Sequence, residues 1–146
     1  MQTNVLEYLE NTVDRVPDKT AFADEESALS FIQVSEQAKS IGTELSRQGA
    51  YREPVVVYMK KCPQTIAAFL IYAGCYYVPI DEEMPRRRMQ LILENTDANY
   101  LIYDESTKDK IAALGFEGTA LPYETCSKTE MDEEVLAKIR EGALDI

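Results

Sequence analysis

Apolar positions recur along the chain with two different periods, and the changes of period mark out the elements. Val5, Leu6, Leu9, Val13 and Val16 fall at three- and four-residue steps, with Glu7, Glu10, Asn11 and Asp14 on the other side. That is the pattern of an amphipathic helix, and Pro17 ends it. Lys19 to Asp24 and Ala28 to Phe31 are short, partly alternating runs around Glu25-Glu26-Ser27, which predicts a hairpin. Ser30 stands three residues before Gln33, a capping-box pair, and Val34, Ala38, Ile41 and Leu45 follow on one helical stripe. Gly49 lies just past that helix, where the backbone commonly turns to positive φ.

The period changes after Pro54. Val55-Val56-Val57-Tyr58-Met59 has no polar interruption, as expected of a strand buried on both faces in a parallel sheet. Pro63 suits the first residue of a helix carrying Ile66, Ala67, Phe69, Leu70 and Ile71 to a stop at Gly74. Cys75 to Ile80 reads as a second strand, Asp81 to Pro85 as a turn, and the next helix turns Met89, Ile92 and Leu93 inward. Ala98 to Tyr103 is a third strand. Ser106 with Asp109 then caps a helix through Ile111 and Leu114 that Gly115 closes. Thr119 to Tyr123 is a fourth strand, and Thr129 with Asp132 caps a last helix using Met131, Val135, Leu136 and Ile139. The expected fold is therefore α/β: a parallel sheet flanked by helices and joined by right-handed crossovers, preceded by a helix and a β-hairpin. One domain is expected over residues 1–146, with a helix-hairpin-helix portion at 1–53 and an alternating strand-helix portion at 54–146. The end at Leu144-Asp145-Ile146 reads as the start of a further element.

Composition narrows the functions available. With 146 residues, 45% of them hydrophobic, the chain is long enough to build one core without disulfides or metals. Lys and Arg number 15 against 26 Asp and Glu, so the net charge is −11, which repels nucleic acid and anionic membrane alike. There is no histidine, which removes Ser-His-Asp and Cys-His pairs, histidine zinc sites and histidine bases. Cys62, Cys75 and Cys126 are odd in number and lack CxxC spacing, which suits a reducing compartment. No apolar run approaches the ~18 residues of a membrane span, and a cytoplasmic location is expected.

Four features invite a chemical reading, and each has a plainer one. Asp81-Glu82-Glu83 follows a strand end, where open α/β sheets place ligands, and three carboxylates suit Mg2+; the plainer reading is a solvated turn opening a helix. Arg86-Arg87-Arg88 suits phosphate or carboxylate, yet consecutive residues point three ways around a helix. Cys62 has Lys60 and Lys61 nearby but no base, and Cys75 reads as core. Tyr76-Tyr77 offers flat rings, as packing tyrosines also do. Neither GxGxxG nor GxxxxGK with Ser or Thr is present. No catalytic, cofactor-binding or metal residue is assigned.

One stretch goes beyond generic pattern. Residues 71–81, IYAGCYYVPID, followed by Pro85, Arg88, Ile92 and Leu93, resemble the "LKAGxAYVPxD…P…R…IL" motif of adenylate-forming, AMP-binding enzymes. Ala73, Gly74, Tyr77, Val78, Pro79 and Asp81 fit in order, and Leu29-Ser30-Phe31 with its helix resembles the family's "LTYxEL" motif. The turn Pro79-Ile80-Asp81 with Pro85 and Arg88 is most similar to amino-acid adenylation domains, those of nonribosomal peptide synthetases and of D-alanine–carrier protein ligases. Cys75, Tyr76 and Phe31 depart from the motifs as packing changes.

The resemblance implies an N-terminal part of a ligase that uses ATP and Mg2+ to make an aminoacyl-AMP and then a thioester on a phosphopantetheinyl carrier protein. It also implies that the phosphate loop, substrate pocket, hinge and catalytic lysine follow Ile146, so that the 146 residues are inert and bind no cofactor themselves. Gly74, Pro79, Asp81 and Arg88 then serve the core, Arg88 as an ion-pair partner. The partners expected are the remainder of the adenylation domain and the carrier protein, and an uncovered apolar patch would favour self-association. The alternative is a free-standing, non-enzymatic acidic α/β binding or regulatory module. A flavodoxin- or receiver-like domain would need a cofactor loop or clustered acidic pocket that the sequence lacks.

Overall fold

The apolar run after Pro54 forms the central strand of a parallel sheet, and its alternation places two cores. A computed structural model describes residues 5–50, 53–60, 62, 76–130, 132 and 134. Its elements are α1 (Val5–Arg15), β1 (Thr20–Ala23), β2 (Ala28–Ser30), α2 (Phe31–Arg47), β3 (Pro54–Met59) and β4 (Tyr76–Asp81). There follow α3 (Arg86–Thr96), β5 (Tyr100–Tyr103), a 3-10 turn (Lys108–Lys110), α4 (Ile111–Leu114), β6 (Thr119–Pro122) and α5 (Tyr123–Cys126). The predicted helix from Pro63 to Gly74, Cys75, and the last helix beyond Glu134 lie outside the described residues.

β1 and β2 pair antiparallel, as the hairpin pattern predicts. The other four strands form one sheet in the order β4-β3-β5-β6, every pair parallel. Val55, Val57 and Met59 share a core with Ile41 and Leu45 of α2, Ile102, Leu121, Tyr123 and Cys126. Val56 and Tyr58, one residue out of phase, pack with Ile80, Leu101, Met89 of α3 and Leu114 of α4. Residues 55–59 are all buried, so the unbroken apolar run reflects a strand covered on both sides. Each such aliphatic side chain contributes about 1.5–3 kcal/mol on burial.

α2 serves two cores. Ile41 and Leu45 face the sheet, whereas Val34 and Ala38, two turns earlier, pack with Leu9 of α1 and Leu29 of β2. The Ser30 hydroxyl accepts from Gln33 N at 3.3 Å and Ser30 N donates to Gln33 Oε1 at 2.9 Å, the reciprocal cap expected. Gly49 takes φ +91° after the helix, a conformation costly for any other residue type.

Two predicted caps and one strand end differ. Ser106 does not cap the helix after β5; Asp104 and Thr107 make that turn, and the helix is split into the 3-10 turn and α4. Tyr123 opens the short helix α5 instead of ending β6, because Pro122 cannot continue the ladder with an N–H. Thr129 turns its hydroxyl to Glu44 Oε2 at 3.4 Å, and Asp132 Oδ1 accepts from Glu134 N at 3.0 Å. No helix among the described residues is long and apolar enough to cross a membrane.

Candidate functional site

The chain leaves β3 toward β4 on one side of the sheet and returns across β3 to β5 on the other. Open α/β sheets bind ligands at such a reversal, outside the carboxyl ends of the strands. At that edge Asp104, just past β5, is the organising residue. Its Oδ2 accepts from Lys60 N at 3.0 Å, and its Oδ1 accepts from Thr107 N at 3.2 Å and from Ser106 Oγ at 2.7 Å. The fully buried Thr107 accepts from Asp104 N at 3.2 Å and donates to Tyr58 O at 2.7 Å, tying the ends of β3 and β5 together. Asp-x-x-Thr is a reciprocal cap that the spacing alone could have revealed. The bond to Lys60 joins residues 44 apart and had no local signal.

The sequence candidates fall around this edge without forming one site. Asp81 Oδ1 accepts from Glu83 N at 2.9 Å and its carbonyl from Met84 N at 3.0 Å, so Asp81 closes the turn into α3. Glu82 Oε2 accepts from Ser106 Oγ at 3.4 Å. Among the described residues no group of three or more Cys, Asp or Glu side chains is placed to hold a metal ion. These residues do not fit Mg2+, and no step is assigned through it. Arg86, Arg87 and Arg88 are all exposed, and none forms an ion pair with another described residue; the ion-pair role expected for Arg88 is not seen there. Tyr77 is 47% exposed, away from the edge cleft.

Lys60 extends in the other direction, where its Nζ lies 3.4 Å from Glu26 Oε2 of the hairpin turn. The hydrogen bond to Glu26 raises the Lys60 ammonium above its ordinary value, and its exposure leaves the pair with little effect on stability. Asp24 closes the same hairpin by accepting from Ser27 N and Glu26 N at 2.8 and 2.9 Å, bonds that lower its carboxyl below the usual value.

Beside Asp104 opens a cleft of about 330 Å³ lined by Gln37, Met59, Cys62, Tyr123 and Glu124. The Tyr123 phenol donates to Gln37 Oε1, and burial holds it well above its ordinary pKa. Cys126 is buried, and burial, then the Glu44 and Glu124 carboxylates, push its thiol up to about 12. Cys62 is only half-buried. A thiol reagent at neutral pH is therefore expected to label Cys62 at least about tenfold faster than Cys126. Peptide mapping by mass spectrometry checks this, and equal labelling in the folded chain would remove the environment assigned to Cys126. The chain has no histidine to pair with Cys62 as the base of a Cys-His nucleophile.

Comparison with known proteins resolves the family. The family profile described as "AMP-binding enzyme" matches residues 9–142. Among curated relatives, Tyrocidine synthase 1 of Brevibacillus parabrevis is 28% identical over 118 residues, 79% of this chain and 11% of its own length. D-alanine–D-alanyl carrier protein ligase of Bacillus cereus is 33% identical over 103 residues, 67% of this chain and 20% of its own length. The chain thus spans a small part of the curated relatives it matches. The nonribosomal peptide synthetase FmoA3 in its AMPPNP-bound form superposes with a TM-score of 0.79 at 27% identity, over 87% of this chain and 14% of that one. A fatty acid AMP ligase from Legionella pneumophila shares the fold with a TM-score of 0.75 at 20% identity, over 94% of this chain and 25% of that one. With the motif Pro79, Asp81 and Pro85 at the exit of β4, and the match over residues 9–142, the chain belongs to the AMP-binding, adenylate-forming enzyme family.

Proposed function

We propose that this chain is the N-terminal part of a ligase that activates an amino acid with ATP and transfers it to a carrier protein. The observation that carries the reading is the kind of relative matched: peptide synthetases and a D-alanine carrier protein ligase recur among them. In the first step a carboxylate oxygen bonds the α-phosphorus of ATP, the bond from that phosphorus to its bridging oxygen breaks, and pyrophosphate leaves. In the second, a phosphopantetheine thiol loses its proton and its sulfur bonds the acyl carbon, while the bond from that carbon to AMP breaks. Positioning and charge neutralisation would dominate both steps.

In this reading the 146 residues form one unit that supplies scaffold. Gly49 turns the chain out of α2, Asp104 and Thr107 tie the ends of β3 and β5, Asp81 sets the turn into α3, and the groups that touch ATP come from the remainder of the adenylation domain. The isolated chain is then inert, binds no Mg-ATP and tends to self-associate. The test is amino-acid-dependent exchange of pyrophosphate into ATP, by the chain alone and by a chimera. In the chimera, residues 9–142 replace the matching segment of Tyrocidine synthase 1. We expect none from the chain and measurable exchange from the chimera. Exchange by the isolated chain would end the inert-scaffold reading; a folded chimera without exchange would end the adenylation-scaffold reading.

A further inference from the structure

A second cleft lies between α2 and the segment that follows α5. Its volume is about 460 Å³, within the range of small-molecule sites. Hydrogen bonds fix both its ends. At one, the Tyr123 phenol donates to Gln37 Oε1; at the other, Thr129 Oγ1 reaches Glu44 Oε2 at 3.4 Å and Asp132 N reaches Thr43 Oγ1 at 3.4 Å. The two walls are thereby tied to each other at both ends.

The lining residues are all of polar type, and their polar groups divide by role. Gln33 and Gln37 spend their oxygens on Ser30 N and on Tyr123, which leaves both amide N–H2 groups as donors. Ser40 is 6% exposed, lines the cleft, and its hydroxyl makes no hydrogen bond to any other described residue. A buried hydroxyl left without a partner costs about 1–3 kcal/mol, so a group inside the cleft that bonds it recovers that cost. Glu36 and Glu130 bring negative charge to the opening, and Lys128 brings a positive one.

We propose that this cleft binds a small zwitterion of the α-amino acid type. Its ammonium group is held between Glu36 and Glu130, and its carboxylate by Lys128 and the Gln37 amide, with the Ser40 hydroxyl bonding the carboxylate from beneath. In the proposed ligase the substrate pocket comes from the remainder of the adenylation domain, so this cleft is a second site, and it makes the chain itself responsive to free amino acid.

The test titrates the 146-residue chain with glycine and with alanine, following backbone amide NMR signals. Acetate and methylamine, the two halves of the zwitterion, are titrated in parallel. Saturable shifts confined to Gln37, Ser40 and residues 127–130 are expected, at least about tenfold weaker for either half, since a charge-assisted bond is worth about a factor of ten or more. Ser40→Ala, which removes the orphaned hydroxyl and preserves the helix, is expected to lower affinity about tenfold, and Lys128→Gln to remove the preference for alanine over methylamine. Shifts that do not saturate, equal binding of the halves, or unchanged affinity in both variants would overturn the proposal and leave Ser40 bonded to water alone. Exchange activity of the chimera does not enter this readout, so the two readings fail separately.

Discussion

Ile102→Ala is expected to lower the stability of the chain by about 2–5 kcal/mol. Ile102 has no solvent exposure and pairs with Val57 on one side and Leu121 on the other, in the core that α2 closes with Ile41 and Leu45. Truncation removes three carbons from a site whose neighbours belong to the two flanking strands and to helices α2 and α5, and no single one of them can move in to fill the void. For a domain whose total stability is about 5–15 kcal/mol, a loss of this size moves the urea midpoint by about 1 M or more. Far-UV circular dichroism against urea measures it. Leu91→Ala, at a position 49% exposed, is the control and should stay within about 0.5 kcal/mol of the parent. Equal midpoints for the two variants would mean that the face shared by α2 and the sheet is not the packed core described.

The second large effect is expected at Gly118. A Cβ there would lie 2.3 Å from Asn99 O and 2.7 Å from the Phe116 ring. The Asn99 carbonyl cannot withdraw freely, because it accepts from Thr119 N at 2.8 Å where β6 begins. Gly118→Ala must therefore shift β6 or break that bond, an overpacking cost of about 1–3 kcal/mol. Gly115 separates this cause from backbone strain: its φ is +70°, with nothing within 4 Å of an added Cβ. Gly115→Ala costs only the conformational penalty of about 1–2 kcal/mol. Thermal melting resolves the pair, at about 2–4 °C for each kcal/mol. Shortening the Phe116 ring in a Gly118→Ala background should recover little, since the carbonyl is the nearer obstacle; full recovery would assign the clash to the ring.

Local signals carried most of the fold. Ser30 and Gln33 announced α2, and five consecutive apolar residues announced a strand covered on both sides. Legibility ended where a residue's partner lies far along the chain. Asp104 reads as a polar residue after a strand, and only the parallel pairing of β3 with β5 shows that Lys60 N awaits its carboxylate. Ser106 and Asp109 had cap spacing, but Asp104 and Thr107 had it too, and the tertiary bond from Thr107 to Tyr58 O chose between them. Ser40 was invisible for another reason. A serine on a helix bearing glutamates and glutamines looks solvated until the segment after α5 folds over it.

The wholly parallel pairing also sets an order in time. β3 is made before any strand it touches, and its Val55 finds Tyr100 of β5 only after the intervening residues have left the ribosome. At synthesis rates of about 5–20 residues per second, that wait is roughly 2–9 s. During it, α1, the hairpin and α2 can assemble from neighbouring residues, while among the described residues already made α2 is what shelters one apolar face of β3. The nascent chain is thus most prone to stray association in the interval between β3 and β5.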